Sequence, residues 1–200
     1  MKLFEKSLCL ALVLTVLFSF TGFAAGCEDI PNHVLRLHIL ANSDSVEDQA
    51  LKLKVRDRIL TESSGLLDHI TNKTDAQNAV KAAIPQLKVA AADEIKKQGY
   101  TYPVNVEMAH MYFTTREYET VTLPAGDYDS LRVTIGSAAG HNWWCVIFPP
   151  MCLPAAEEPK ELSDVLNANQ LHIVEGKGGF EVKFITLEWY EKIKSYFEKK

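Results

Sequence analysis

Positive charge is scarce in this chain. Its 200 residues hold 21 Lys and Arg against 26 Asp and Glu, a net charge of −5. That balance argues against nucleic acid as a partner, because such binding rests on neutralising phosphates. It argues equally against attraction to an anionic membrane surface by charge alone. The six histidines, at 33, 38, 69, 110, 141 and 172, show neither H-x-x-x-H nor H-x-H spacing, so no metal site is expected. There is no G-x-S-x-G, and Gly136-Ser137-Ala138 does not make a nucleophile elbow. Gly136 and Gly140 are too sparse for a phosphate loop. Cysteine occurs four times without C-x-x-C spacing, which disfavours zinc. Repeats and low-complexity stretches are absent. No cofactor and no small-molecule substrate are expected.

The one long apolar run stands at the N-terminus. Lys2 and Lys6 precede residues 8–20, which are apolar except for Thr15 and Ser19, and Ala24-Ala25-Gly26 follow. This is the pattern of an export signal over residues 1–26. The run is shorter than the span of about 20 residues a bilayer requires, and a retained N-terminal anchor is the alternative. Cys27 follows directly, as in a lipidated N-terminus, but Ala24 stands where lipoprotein signals usually carry Leu. Residues 27–200 then form one exported domain, long enough for a core of its own. Without the two lysines and one glutamate of the signal, its net charge is −6.

Outside the cytoplasm, Cys145 and Cys152 read as a disulfide, with Pro149-Pro150 turning the chain between them. So short a loop gains less than the usual ~2–4 kcal/mol, and its effect is on local shape.

The hydrophobic pattern predicts a strand over 34–40, where Leu35, Leu37 and Ile39 alternate with Arg36 and His38. Asp44 with Glu47 predicts a capping box, opening a helix to about residue 60. That helix carries two apolar stripes, Leu51/Val55/Ile59 and Val46/Ala50/Leu53/Leu60, so it is expected to be covered on both sides. Thr74 with Gln77 opens a second helical region ending at Gly99, with Pro85 kinking it or splitting it in two. Runs 104–113 and 118–123 predict a hairpin joined by Thr114-Thr115-Arg116. Further strands are expected over 128–135, 143–148 and 180–185, a polar loop over 154–160 and an amphipathic helix over 187–197. The class is α+β: two to three helices packed on a mostly antiparallel sheet.

Candidate chemistry is sparse. His38 with Asp44 or Asp57 is the acid–base pair an exported envelope hydrolase would use, yet no nucleophile accompanies it, and His38 reads as a hydrogen-bonded structural histidine. Cys145 near His141 would be a nucleophile only if its thiol were unpaired. Asp57 falls on an apolar side of its helix, where a carboxylate needs a partner such as Arg36 or Arg132. That pair would be a core network or the rim of a recognition surface. Trp143 and Trp144 point to opposite sheet faces, so one can be core while the other anchors a contact.

Four blocks resemble the stage II sporulation protein R family. They are Arg36-Leu37-His38-Ile39-Leu40-Ala41-Asn42-Ser43-Asp44-Ser45; then Asp48-Gln49, Leu51-Lys52 and Val55-Arg56-Asp57; then Pro124-Ala125-Gly126-Asp127-Tyr128 with Leu131-Arg132-Val133-Thr134-Ile135-Gly136; and Gly140 through Cys152, including His141-Asn142-Trp143-Trp144-Cys145 and Pro149-Pro150-Met151. The resemblance implies a signalling protein without catalytic residues, made in the forespore and secreted into the space between forespore and mother-cell membranes. There it would activate a membrane-embedded aspartic protease of the mother cell, which removes the pro-sequence of the sigma-E precursor. The expected contact surface comprises His38, Asn42, Ser43, Asp44, Asp48, Gln49, Arg132, Asn142, Trp143 and Trp144. A passive envelope scaffold is the remaining alternative.

Overall fold

The computed structural model describes residues 2–118, 121–151, 162, 165–175 and 189. In chain order the elements are α1 (Lys2–Asp29), a 3₁₀ turn (Ile30–Asn32), β1 (Leu35–Leu40), α2 (Val46–Leu67), α3 (Lys73–Lys97), β2 (Val104–Phe113), β3 (Arg116–Glu117), β4 (Thr122–Leu123), β5 (Gly126–Ile135), β6 (Asn142–Phe148) and α4 (Ala168–Glu175). They group into two compact units, one drawn from residues 1–30, 112–126 and 166–200, the other from 31–111 and 127–165.

In the first unit, α1 spans the expected export signal. Leu3, Phe4, Leu8, Leu10, Leu12 and Leu14 are exposed along it, whereas Phe23 and Cys27 near its end are buried. Among the described residues no helix is long and apolar enough to cross a membrane. Gln170 of α4 donates to Asp29 at 2.7 Å, and Asn167 caps α4 by accepting the Gln170 N–H at 3.0 Å. β3 and β4 pair antiparallel. The hairpin expected between 104–113 and 118–123 is therefore not formed: β3 takes β4 as its partner, and the sheet neighbour of β2 is β5.

The second unit holds the four-stranded sheet, in the order β2-β5-β1-β6. β1 pairs parallel with β5 and antiparallel with β6. A parallel pair needs a long crossover, supplied here by α2, α3 and β2. The class is α+β, and the sheet is mixed. Leu35, Leu37 and Ile39 join Leu131, Val133 and Ile135 of β5 in one core with Leu51, Val55 and Ile59 of α2 and Val80, Leu87 and Ile95 of α3. The opposite face of β1 is buried too. Arg36 is fully buried, its guanidinium 5.0 Å from the centre of the Tyr128 ring.

Local signals shifted where side chains competed. The N-cap of α2 is Ser45, not Asp44: Ser45 is extended and its hydroxyl accepts the Asp48 N–H at 3.1 Å. Asp44 is held elsewhere, as described below. The Val46 stripe is covered only toward its far end: Val46 is 81% exposed and Ala50 is exposed as well, whereas Leu53 is half-buried and Leu60 is buried in the core. Asp57 needs no core partner, because its half-exposed carboxylate lies 2.7 Å from the adjacent Arg56; neither Arg36 nor Arg132 is the group that meets it there. α3 is capped by Asn72, which accepts the Asp75 N–H at 2.9 Å, rather than by Thr74. Pro85 sits inside one uninterrupted α3. The proline removes one helical hydrogen bond, and the buried stripe of Val80, Leu87, Ala91 and Ile95 around it offsets that loss. Lys73 ties α3 to β5 through Asp129 at 2.6 Å. The expected loop 154–160 and strand 180–185 lie outside the described residues, as do Cys152 and all of 187–197 except Trp189.

Candidate functional site

The block after β1 and the loop after β5 interlock. Residues 136–141 lie against Asn42 and Ser43, and glycine makes the approach possible. A Cβ on Gly140 would stand 2.1 Å from the Ser43 carbonyl oxygen, and Gly136 adopts φ +59 with its Cβ position 2.1 Å from Asn42 Oδ1. Only glycine tolerates both conditions. The contact is closed by hydrogen bonds. Gly140 N–H donates to Ala41 O at 3.1 Å and Ala139 N–H to Asn42 O at 3.2 Å. Ser137 donates its N–H to Asn42 Oδ1 at 2.9 Å and its hydroxyl to Asn42 O at 2.7 Å.

The carboxylates at the start of α2 complete this lock. Asp48, nearly fully buried, accepts from Asn42 Nδ2 at 2.9 Å and from the Ser43 hydroxyl at 2.5 Å. Those bonds, Ser43 first, hold its carboxyl below the usual carboxylate range. Tyr102 also donates to Asp48, while burial foremost pushes the phenol up. Asp44 accepts the His141 N–H at 2.5 Å and pairs with His141 Nδ1. The backbone bond is the main cause that keeps the Asp44 carboxyl below its ordinary value. Lys52, buried, donates to Gln49 Oε1 at 2.6 Å and to His141 O at 2.9 Å. Burial lowers its ammonium from the ordinary lysine value, and Asp44 opposes that shift. Gln49 in turn donates to Ser43 O at 2.9 Å.

One helical turn beyond Lys52, Arg56 lies over Trp143, its guanidinium carbon 4.5 Å from the ring centre. Trp143 remains 37% exposed. On the opposite sheet face a row forms across three strands, because His38 stands in register with both Arg132 and Trp144. The His38 and Trp144 rings stack at 4.1 Å, Trp144 Nε1 donates to Asn142 Oδ1 at 2.7 Å, and Arg132 faces Glu107 at 3.6 Å. His38 is buried. Burial first, then Arg132 and Arg36, lower its pKa from 6.5 to about 4, so the ring is neutral at pH 7.

The expected contact residues thus fall into three places. Asn42, Ser43, Asp44, Asp48 and Gln49 build the lock. Trp143 stands on the α2 side with Arg56. His38, Arg132, Asn142 and Trp144 stand on the other face. The acid–base pairs drawn from sequence are not the ones the fold makes: Asp44 is engaged by His141, Asp57 by Arg56, and His38 stacks on Trp144. Lys52, Arg56, Ser137 and Tyr102 were not singled out in sequence as members of the site. The spacing of Gln49, Lys52 and Arg56 on one helix face was the legible signal for Lys52 and Arg56. Among the described residues no three His, Cys, Asp or Glu side chains gather as for a metal ion. Cys9 and Cys27 are the free thiols there.

The sequence model of stage II sporulation protein R matches residues 31–158. Stage II sporulation protein R of Bacillus subtilis (strain 168) is 33% identical over 181 residues, covering 80% of this chain and 81% of that protein. No solved structure matches. The matched region contains the whole lock, both tryptophans and the sheet beneath them, and the chain belongs to the stage II sporulation protein R family, a family of sporulation proteins.

Proposed function

We propose that this sporulation protein is a secreted forespore signal that activates a membrane aspartic protease of the mother cell and so triggers processing of the sigma-E precursor. It acts as a ligand and not as an enzyme. Residues 1–26 serve as its export signal, residues 27–200 as one signalling domain, and the space between the forespore and mother-cell membranes as its place of action. The observation that carries this reading is the use of the family's polar residues. Asn42, Ser43, Asp48 and Gln49 spend their hydrogen bonds on the chain itself, which suits a rigid recognition surface around an exposed tryptophan. The exposed leucines of α1 suit a segment read by an export machinery. A Cys145–Cys152 bridge would hold the end of β6 in its binding shape.

Reconstitution in non-sporulating cells tests the proposal. The protein, with and without residues 1–26, is expressed beside the candidate protease and the sigma precursor, and cleavage is followed by immunoblot. Cleavage that needs both the protein and its export signal is expected. No cleavage, with all three proteins stable and this one exported, overturns the reading.

A further inference from the structure

Residue 141 is gripped at three atoms. Its N–H and its ring Nδ1 meet Asp44, and its carbonyl accepts from Lys52 at 2.9 Å. The next residue begins β6, and two residues on stands Trp143, under Arg56. Asp44, just before α2, and Lys52 and Arg56 on its first turns therefore form a ladder that meets positions 141, 141 and 143 in turn. Hydrogen bonds involving charged groups are stronger and more directional than neutral ones, and Lys52 is buried where water competes little. By contrast, the Asp44 carboxylate is committed to His141.

We propose that Asp44 and Lys52 are positioning residues: they lock His141 and thereby fix the stance of the Trp143–Arg56 stack, which is the part that meets the partner. This rests on the activator reading above and deepens it. It reassigns Asp44 from direct contact to support, and it assigns to Lys52 a role the sequence did not suggest. The groups facing Asp44 are His141 from the loop and Gln49 and Lys52 from α2; Asp48 is occupied by Asn42 and Ser43.

Two readouts separate support from contact. The first is amide hydrogen exchange of the free, full-length protein at residues 137–141. Asp44→Ala and Lys52→Met are each expected to speed exchange of the His141 and Gly140 amides by about tenfold, as local opening loses a charge-assisted bond. Asp44→Asn keeps an acceptor for the His141 N–H and is expected to restore most of the protection. The second is a titration of the activator in the reconstituted cleavage assay. Asp44→Ala and Lys52→Met should raise the half-saturating concentration roughly three- to tenfold at an unchanged plateau, a loss typical of a weakened contact surface. A change in half-saturation without faster exchange would make Asp44 a direct contact and overturn the proposal. Wild-type exchange in both variants would overturn it as well. Should the wild-type protein drive no cleavage, the activator reading fails and the contact half of this proposal fails with it. The exchange data still decide whether the lock exists.

Discussion

Three glycines in the second unit make a quantitative test of the interlock, because each would receive a methyl group under a different constraint. Gly65 lies within α2, and a Cβ there meets nothing within 4 Å. Gly65→Ala should stabilise by about 0.5–1 kcal/mol, the helical advantage of Ala over Gly. Gly99 also has open space, but its φ is +85. Gly99→Ala should cost about 1–2 kcal/mol from backbone conformation alone. Gly140 is the critical case. Its Cβ would stand 2.1 Å from the Ser43 carbonyl oxygen and 2.4 Å from the carbonyl carbon. These are backbone atoms, so no side chain can swing aside. Overpacking costs about 1–3 kcal/mol. Withdrawal of the loop also breaks the bonds from Gly140 N–H to Ala41 O and from Ala139 N–H to Asn42 O, at about 1 kcal/mol each. Gly140→Ala should therefore destabilise by roughly 3–5 kcal/mol. Urea unfolding followed by tryptophan fluorescence reads this directly. With a slope of about 2 kcal/mol/M, the midpoint falls by ~1.5–2.5 M for Gly140→Ala and rises by ~0.3–0.5 M for Gly65→Ala. A Gly140→Ala midpoint within about 0.5 M of wild type, at an unchanged slope, would refute the claim that close backbone approach holds the loop.

Other outcomes follow from the same geometry. Ser45→Ala should cost about 1 kcal/mol by removing the cap on Asp48 N–H, whereas Thr74→Ala, away from the Asn72 cap of α3, should leave the urea midpoint nearly unchanged. His38 is held neutral at about 4 against an ordinary 6.5. The unfolded chain thus binds a proton first, and stability present above pH 6.5 declines as pH falls toward 4, by roughly 3 kcal/mol in all. Urea midpoints at pH 7 and pH 4.5 measure this, and His38→Gln should flatten that window. Trp143→Ala should abolish precursor cleavage while the folded protein is still exported; normal cleavage would remove Trp143 from the contact surface. Cys145→Ser with Cys152→Ser should lower cleavage, and normal processing by the double variant would remove the bridge from the mechanism.

Much of the secondary structure was legible because it rests on local periodicity. β1, β5, β6 and the two long helices follow the alternation of 34–40 and 128–135 and the spacing of Leu51, Val55 and Ile59. Where a single side chain had two possible partners, reading in sequence order failed. Asp44 has the residue type of a cap, yet His141, 97 residues away, takes it, and Ser45 caps instead. Asp57 was placed by helical phase on an apolar side, but its carboxylate is half exposed and the adjacent Arg56 satisfies it. The hairpin failed for a related reason. Pairing depends on which strand edge is free in the folded sheet, and β2 lies beside β5.

The sequence by itself determined the family, the acidic balance, the N-terminal apolar segment, the α+β class and the blocks from which the site is built. These depend on composition, on repeats of two or about four residues, and on long contiguous motifs. Tertiary structure alone decided that the first and last blocks interlock, that Gly136 and Gly140 let backbone meet backbone, and that Lys52 and Arg56 belong with His141 and Trp143. It also decided that His38 lies in a buried row with Arg132 and Trp144. Those relations join residues about 90 to 110 positions apart through strand register and side-chain direction, and neither quantity is encoded in the spacing of residues along one segment.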